Sequence, residues 1–117
     1  MLSIVDNLDR LFNTRRGTIE HMMDYGLPDI SEIYRDIPES IPDLQVAIQE
    51  TVEKYEPRLT NVRARHQEKE QDRFDMKLTF ILSGRLVGRD KIRFETTFQS
   101  EANPNEEVKN LAQVTRV

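Results

Sequence analysis

The stretch KYEPRL, residues 54–59, places an acid and a base on either side of a proline. Glu56 and Arg58 can pair with each other, or each can bind an opposite charge on another molecule. If the backbone is extended here, their side chains point to the same side, as residues i and i+2 of a strand do. Pro57 fixes one backbone angle and so lowers the entropy cost of holding that arrangement. The pattern predicts a stiff turn that carries both charges.

Two uses of this elbow, residues 56–58, fit the sequence. In the first, Glu56 and Arg58 form an internal ion pair that holds the turn together. Exposed ion pairs contribute only about 0–1 kcal/mol, which makes stapling alone a weak reason for such rigidity. In the second, the elbow recognises charges on a partner, because arginine binds carboxylates through two parallel hydrogen bonds. We favour the second use and predict that Glu56, Pro57 and Arg58 bind a partner.

Catalytic chemistry has little support among the other reactive residues. His21 and His66 lie outside any metal-ligand spacing, and no phosphate-binding loop or serine nucleophile motif is present. Glycoside hydrolysis needs two carboxyls roughly 5–9.5 Å apart, which some pair among 21 acidic residues will satisfy by chance. Arg58 beside Glu56 favours the ionised carboxylate, which is the wrong state for a general acid. We therefore predict no enzyme, no cofactor and no metal.

A second candidate contact region is the segment NTRRGTIEHMMDYGLPDI, residues 13–30. It shows no clear period, and a loop of 18 residues in a compact domain is usually functional or disordered. Apolar residues such as Tyr25 and Leu27 favour order. Arg15, Arg16 and Gly17 form either a solvated turn or a contact with a partner or with the protein's own sheet. Both alternatives stay open, and we retain these three residues as candidate partner-binding residues.

Length and composition limit the class of protein. A chain of 117 residues predicts a single domain, residues 1–117, with its own core. The absence of cysteine fits a reducing compartment. Because no apolar run approaches the roughly 18 residues of a membrane span, we predict a cytoplasmic protein without membrane insertion. The net charge of −4 argues against a nucleic-acid partner, despite the basic stretch VRARHQEK.

Hydrophobic spacing predicts the elements that position the elbow. A period near 3.6 predicts helices at 3–12, around 31–36 and through 39–55, where Pro57 stops the last one. A period of two then predicts strands at 59–67, 74–88 and 91–99. We expect the fold class α+β, with the N-terminal helices packed on one face of a three-stranded antiparallel meander.

Two details complete the predicted fold. The apolar stripes, with Ile48, Val52, Phe80 and Phe94 as examples, are assigned to the core. The last segment, residues 101–117, is expected to form a short helix or a flexible tail.

Two pieces of the sequence together resemble a known family. LFNTRRGTIEHMMDYGLPD followed by YEPRL is similar to the baseplate-wedge family of contractile phage tails, whose members are sometimes labelled lysozyme-like. The part GTIEHMMDYGLPD follows the type VI secretion, or TssE-like, branch. The resemblance implies a structural baseplate component whose E-P-R motif, here Glu56, Pro57 and Arg58, docks on the core helical bundle of the wedge. It also implies a sheet that templates the first sheath ring by strand pairing.

Three functions follow as hypotheses. The first is an assembly module that binds other baseplate wedge proteins and sheath proteins, and takes no small-molecule substrate. The open edges of a small sheet agree with it, because an edge strand invites pairing with another chain. The alternatives are a peptidoglycan hydrolase, which rests on the family label, and a small regulatory adaptor of the same fold. We favour the assembly module.

Overall fold

The computed structural model describes residues 3–70, 72, 77–87, 90–99 and 112–117. Within these residues the helices are α1 (Ile4–Phe12), α2 (Ile30–Arg35) and α3 (Ile41–Tyr55). The strands are β1 (Leu59–Gln67), β2 (Lys77–Leu86), β3 (Lys91–Gln99) and β4 (Ala112–Arg116). They form one antiparallel sheet in the order β1-β2-β3-β4. The predicted α+β class and the meander of its first strands are confirmed.

The sheet has a fourth strand where we expected three. Residues 112–116, predicted as helix or tail, pair with β3 from Phe98↔Ala112 to Phe94↔Arg116. A five-residue strand is too short for its period to stand out in a sequence. The rest of the predicted tail, residues 101–111, and both ends of the predicted second strand, residues 74–76 and 88, lie outside the described residues.

The helix boundaries follow from local chemistry. The Ser3 hydroxyl accepts a hydrogen bond from the Asp6 N–H at 3.0 Å, which caps α1. Ser40 precedes α3 but does not cap it, because its hydroxyl donates to the Ile33 carbonyl at 2.6 Å instead. α3 ends at Tyr55, two residues before Pro57, as the sequence predicts. None of the helices in the described part is long and apolar enough to cross a membrane.

One face of the sheet packs against the helices and forms the core. Every second side chain along β3, and along β2 from Phe80 to Gly84, is buried, and the residues between them are less buried, so that alternate residues face the helices. The rings of Phe80 and Phe98 meet edge to face at a centroid distance of 5.8 Å. The predicted core residues Ile48, Val52, Phe80 and Phe94 are all buried. The core therefore lies between α1, α3 and the sheet.

The outer edge of β1 is covered by α3. The Ala64 N–H donates to the side-chain oxygen of Gln49 at 2.9 Å, and the Ala64 carbonyl accepts from the Gln45 amide at 3.4 Å. Two glutamines thus take the place that a neighbouring strand would occupy. This edge is protected against pairing at its centre.

Among the described residues, the outer edge of β4 is covered only at its start. The side chain of Asn13 donates to the Ala112 carbonyl at 3.0 Å and accepts from the Ala112 N–H at 2.8 Å. Backbone groups alternate in direction along a strand, so those of Val114 and Arg116 point to the same side as those of Ala112. No residue of the described part hydrogen-bonds these outward groups. The open stretch of β4 can accept another strand.

Candidate functional site

The elbow between α3 and β1 is closed by a buried ion pair. The Glu56 side chain is 0% exposed, whereas that of Arg58 is 36% exposed. Nε of Arg58 donates to Oε1 of Glu56 at 2.7 Å, and Nη2 donates to Oε2 at 2.8 Å. The backbone N–H of Arg58 also donates to Oε1, at 3.2 Å. The carboxylate therefore points inward, and the guanidinium covers it on the solvent side.

Asn7 of α1 completes this network. Its amide donates to Oε2 of Glu56 at 2.8 Å and to the Tyr55 carbonyl at 3.2 Å. The ion pair is thereby tied to α1 as well as to the end of α3. Asn7 was not predicted, because it lies 49 positions from Glu56 and no local pattern connects the two.

The network sets the charge of both partners. Burial raises the pKa of the Glu56 carboxyl, but the hydrogen bonds from Arg58 and Asn7 outweigh it, so the pKa lies below its usual value. The same pairing raises the pKa of the Arg58 guanidinium. Both groups are charged at neutral pH. A general acid needs the opposite shift, so this carboxyl is unsuited to that role.

The interpretation of the elbow as an exposed pair of charges is wrong in one respect. Glu56 is buried, and the internal ion pair, which we had considered the weaker alternative, is present. Pro57 and Arg58 lie in a turn rather than in extended backbone, and the turn lets the guanidinium reach back over the carboxylate. The internal ion pair therefore contributes more to stability than we expected, since breaking a buried ion pair costs far more free energy than breaking an exposed one. Partner binding by residues 56–58 stays a prediction.

The residues that surround the elbow present a mostly apolar surface. Pro57, Arg58, Leu86 and Val87 line a shallow cavity of about 440 Å³, and we call these four residues the elbow surface. Val87 is 69% exposed, and its N–H donates to the Arg58 carbonyl at 3.3 Å. Leu86 and Val87 were not predicted as site residues, because strand pairing brings the end of β2 to the elbow.

The loop between α1 and α2 holds the other predicted contact residues in different settings. The Arg15 side chain is 66% exposed and lies 3.7 Å from the Asp29 carboxylate. Arg16 instead points inward, where it donates to the Gly26 carbonyl at 3.1 Å and to the Thr51 hydroxyl of α3 at 2.9 Å. Arg16 therefore fastens the loop to α3 rather than to the sheet. Gly17 is exposed, with a φ of 87°.

Gly26 is essential to the path of this loop, and the sequence analysis did not single it out. Its φ is 106°, and a Cβ built on it would lie 2.1 Å from the Thr14 carbonyl oxygen. That close approach accompanies the parallel bridge between Arg15 and Leu27. Only glycine fits such a position. The signal available in the sequence was the motif Y-G-L-P-D, which places this glycine beside the buried Tyr25 and Leu27.

The loop also reaches the end of α3, next to the elbow. Asp24 accepts hydrogen bonds from the Lys54 ammonium and the Tyr55 hydroxyl, and these bonds lower the pKa of its carboxyl. The rings of Tyr25 and Tyr55 meet edge to face at 4.9 Å. The predicted ordered loop is confirmed at Tyr25 and Leu27, whereas Met22 and Met23 are exposed.

The histidines lie apart from the elbow. His66 packs against the Phe80 ring with a centroid distance of 5.4 Å, and His21 is exposed in the loop. Among the residues that the structure describes, no group of three or more His, Asp and Glu side chains is arranged to hold a metal ion.

These features define a small α+β protein whose distinctive parts are a helix–strand elbow held by a buried ion pair and a sheet with one edge that the described residues leave open. The sequence model of the family described as baseplate wedge protein gp25 matches residues 2–91. The chain therefore belongs to the baseplate wedge protein gp25 family, and its role in a baseplate is structural. Comparison with curated proteins gave no significant match.

Two solved structures share the fold. One is a chain of the baseplate complex from the type VI secretion system, with 27% identity, a TM-score of 0.64, and coverage of 97% of this chain and 88% of that one. The other is a putative tail lysozyme from Geobacter sulfurreducens, with 17% identity and a TM-score of 0.60, over 88% of this chain and 98% of that one. At 17% identity the second likeness concerns the fold alone.

Proposed function

We propose that this chain is a TssE-like subunit of a type VI secretion baseplate, which docks on the core helical bundle of the wedge and helps to start the contractile sheath. It acts in the cytoplasm, at the inner face of the cytoplasmic membrane, as one domain over residues 1–117. The observation that carries the proposal is the stapled elbow. A buried carboxylate fixes one guanidinium beside an apolar surface, which is a pre-organised contact rather than a reactive group.

Docking uses the outward side of the elbow. Pro57 and Val87 supply apolar area, and Arg58 supplies a partly exposed positive charge. Because Glu56 holds the guanidinium in place, little side-chain entropy remains to be lost on binding. Glu56 is thus a positioning residue that contacts the partner only through Arg58. Arg15 and Gly17, which are exposed in the loop between α1 and α2, would form a separate contact, because Arg15 lines a cavity with Gln99 at the end of β3 away from the elbow.

The test needs a variant that removes the guanidinium without leaving a buried charge. A single Arg58→Glu exchange would put two carboxylates together and could fail by unfolding. The double variant Glu56→Gln/Arg58→Ala avoids this. We expect it to fold, as judged by far-UV circular dichroism, and to fall out of the complex with the core wedge proteins on size-exclusion chromatography. Arg35→Gln, which alters an exposed cation of α2, is the control and should assemble.

Sheath initiation is assigned to the open edge of β4. The incoming sheath strand would bond the outward backbone groups of Val114 and Arg116, because those of Ala64 on β1 are taken by glutamines. Val114→Pro removes one outward N–H and should abolish sheath nucleation, while Val114→Ala keeps the N–H and should support it. Sheath growth on baseplates carrying the proline variant would contradict the assignment.

We also propose that the chain is not a peptidoglycan hydrolase. Glu56 is the acid with the most distinctive setting, and the pKa of its carboxyl is lowered rather than raised. Purified peptidoglycan should therefore stay turbid in the presence of the protein. Clearing that Glu56→Gln abolishes would contradict this.

A further inference from the structure

The face of the sheet opposite the helices carries a cluster of cations. Strand register places Ser83 between Arg63 and Arg93, and places Arg85 directly opposite Lys91. Arg65 lies two residues beyond Arg63 on the same face of β1. We call the five exposed cations the basic sheet face: Arg63, Arg65, Arg85, Lys91 and Arg93.

Few acids balance these charges. Within the described strands, Glu95 is the one acid on this face, and it is paired with Lys69 at 3.0 Å. Asp90 lies one residue before β3. At the opposite end of the face the side chains are polar and already hydrogen-bonded within the protein, since the Thr79 hydroxyl donates to the Asp72 carboxylate at 2.8 Å. The cations are therefore concentrated at the end of the sheet that is near the β2–β3 connection.

This concentration is costly for folding. Like charges directly opposite each other in a sheet, as at Arg85 and Lys91, are destabilising. The chain as a whole has a net charge of −4, so five cations on one face run against its overall composition. They lie within about two strand spacings, or roughly 10 Å, across the sheet. An arrangement that is unfavourable in the isolated chain points to a ligand of opposite charge.

We propose that the basic sheet face binds an acidic surface of a partner protein. A protein patch fits better than a nucleic acid, because the described strands place no aromatic side chain on this face for stacking bases. An acidic protein patch also fits better than a long polyanion or an anionic bilayer, because these larger anions would also be repelled by the acidic rest of the chain. A compact acidic patch can contact the basic sheet face without approaching the acidic rest of the chain. This contact uses other residues than the elbow surface, although Arg85 adjoins Leu86, and it does not depend on the proposed function.

The test measures fluorescence anisotropy of a fluorescein-labelled, glutamate-rich peptide titrated with the full chain. The variant Arg63→Gln/Arg93→Gln removes two cations of the face. The matched control, Arg10→Gln/Arg35→Gln, makes the same change in net charge on exposed residues of α1 and α2. We expect the face variant to bind about tenfold more weakly than the unaltered chain, and the control to stay within about twofold. Binding should weaken between roughly 50 and 200 mM salt.

Three results would overturn the proposal: no binding by the unaltered chain, equal loss in the face variant and the control, or tighter binding to a DNA duplex or to phosphatidylglycerol vesicles than to the peptide. The Glu56→Gln/Arg58→Ala variant should bind the peptide normally. Failure of the elbow to dock and failure of the sheet face to bind are thus separate outcomes.

Discussion

Replacement of Arg58 by alanine would expose how the elbow is held together. The change removes the two guanidinium hydrogen bonds to Glu56, of 2.7 and 2.8 Å, and opens the solvent side of the pair. The carboxylate then keeps only the Asn7 amide at 2.8 Å and the backbone N–H of position 58 at 3.2 Å. Glu56 is left as a buried carboxylate without its cationic partner.

The expected loss of stability follows from the hydrogen bonds that Glu56 loses and keeps. Removing one partner of a fully buried pair costs about 3–5 kcal/mol. Here two hydrogen bonds remain and the removed side chain was 36% exposed, so we expect Arg58→Ala to lower the free energy of unfolding by about 2–3 kcal/mol. Adding Glu56→Gln to the same chain removes the unpaired charge. The double variant should recover about 1 kcal/mol of that loss.

Urea denaturation followed by far-UV circular dichroism measures these values, since the chain has no tryptophan. The pH dependence is a second measurement. Because the folded-state pKa of Glu56 lies below its unfolded value, the pair stabilises the protein above the usual glutamate pKa of about 4.3. That contribution is lost as the pH falls through the folded-state pKa. The difference between Arg58→Ala and the unaltered chain should therefore shrink on acidification.

Either of two results would refute this reasoning. If Arg58→Ala changes the free energy of unfolding by less than about 0.5 kcal/mol, the pair behaves as an exposed one. If the double variant is less stable than Arg58→Ala at neutral pH, the loss does not come from a buried charge.

The remaining predictions concern the loop and the strand that frame the sheet. Gly26→Ala should destabilise the fold by at least about 3 kcal/mol or prevent folding, because the new Cβ would lie 2.1 Å from a carbonyl oxygen. In Gly17→Ala the atom nearest to the new Cβ is 3.7 Å away, so this change should cost only about 1–2 kcal/mol of backbone strain. Equal melting temperatures of the two variants would contradict this. Asn13→Ala should cost about 1–3 kcal/mol by removing both bonds to Ala112. Amide hydrogen exchange should then speed up at Thr115 of β4 but not at Leu82 of β2, and equal acceleration at both would contradict a local effect.

Much of the fold could be predicted because it depends on local patterns. The switch from helical to two-residue periodicity at Pro57 gives the end of α3 and the start of β1 within a residue or two. Strand β4 escaped prediction because its five residues are too few for a two-residue period to stand out. Nothing local distinguishes such a segment from a tail.

The sequence located the candidate site but did not predict its geometry. The motif identified Glu56 and Arg58 as a unit, yet their burial depends on Asn7 and on the turn at Pro57, which brings the guanidinium over the carboxylate. The same limit applies to Arg16, whose partner Thr51 lies 35 positions away. Side chains that meet across such separations are fixed by packing, which spacing alone does not encode.

The central claim is that the elbow is a docking surface held ready by a buried ion pair. Its most direct test is the fraction of Glu56→Gln/Arg58→Ala protein that co-elutes with the core wedge proteins, compared with the unaltered chain and Arg35→Gln at equal concentration. We predict that the double variant is folded yet elutes alone, while the other two elute with the complex. A folded double variant that assembles as fully as the unaltered chain would contradict the claim.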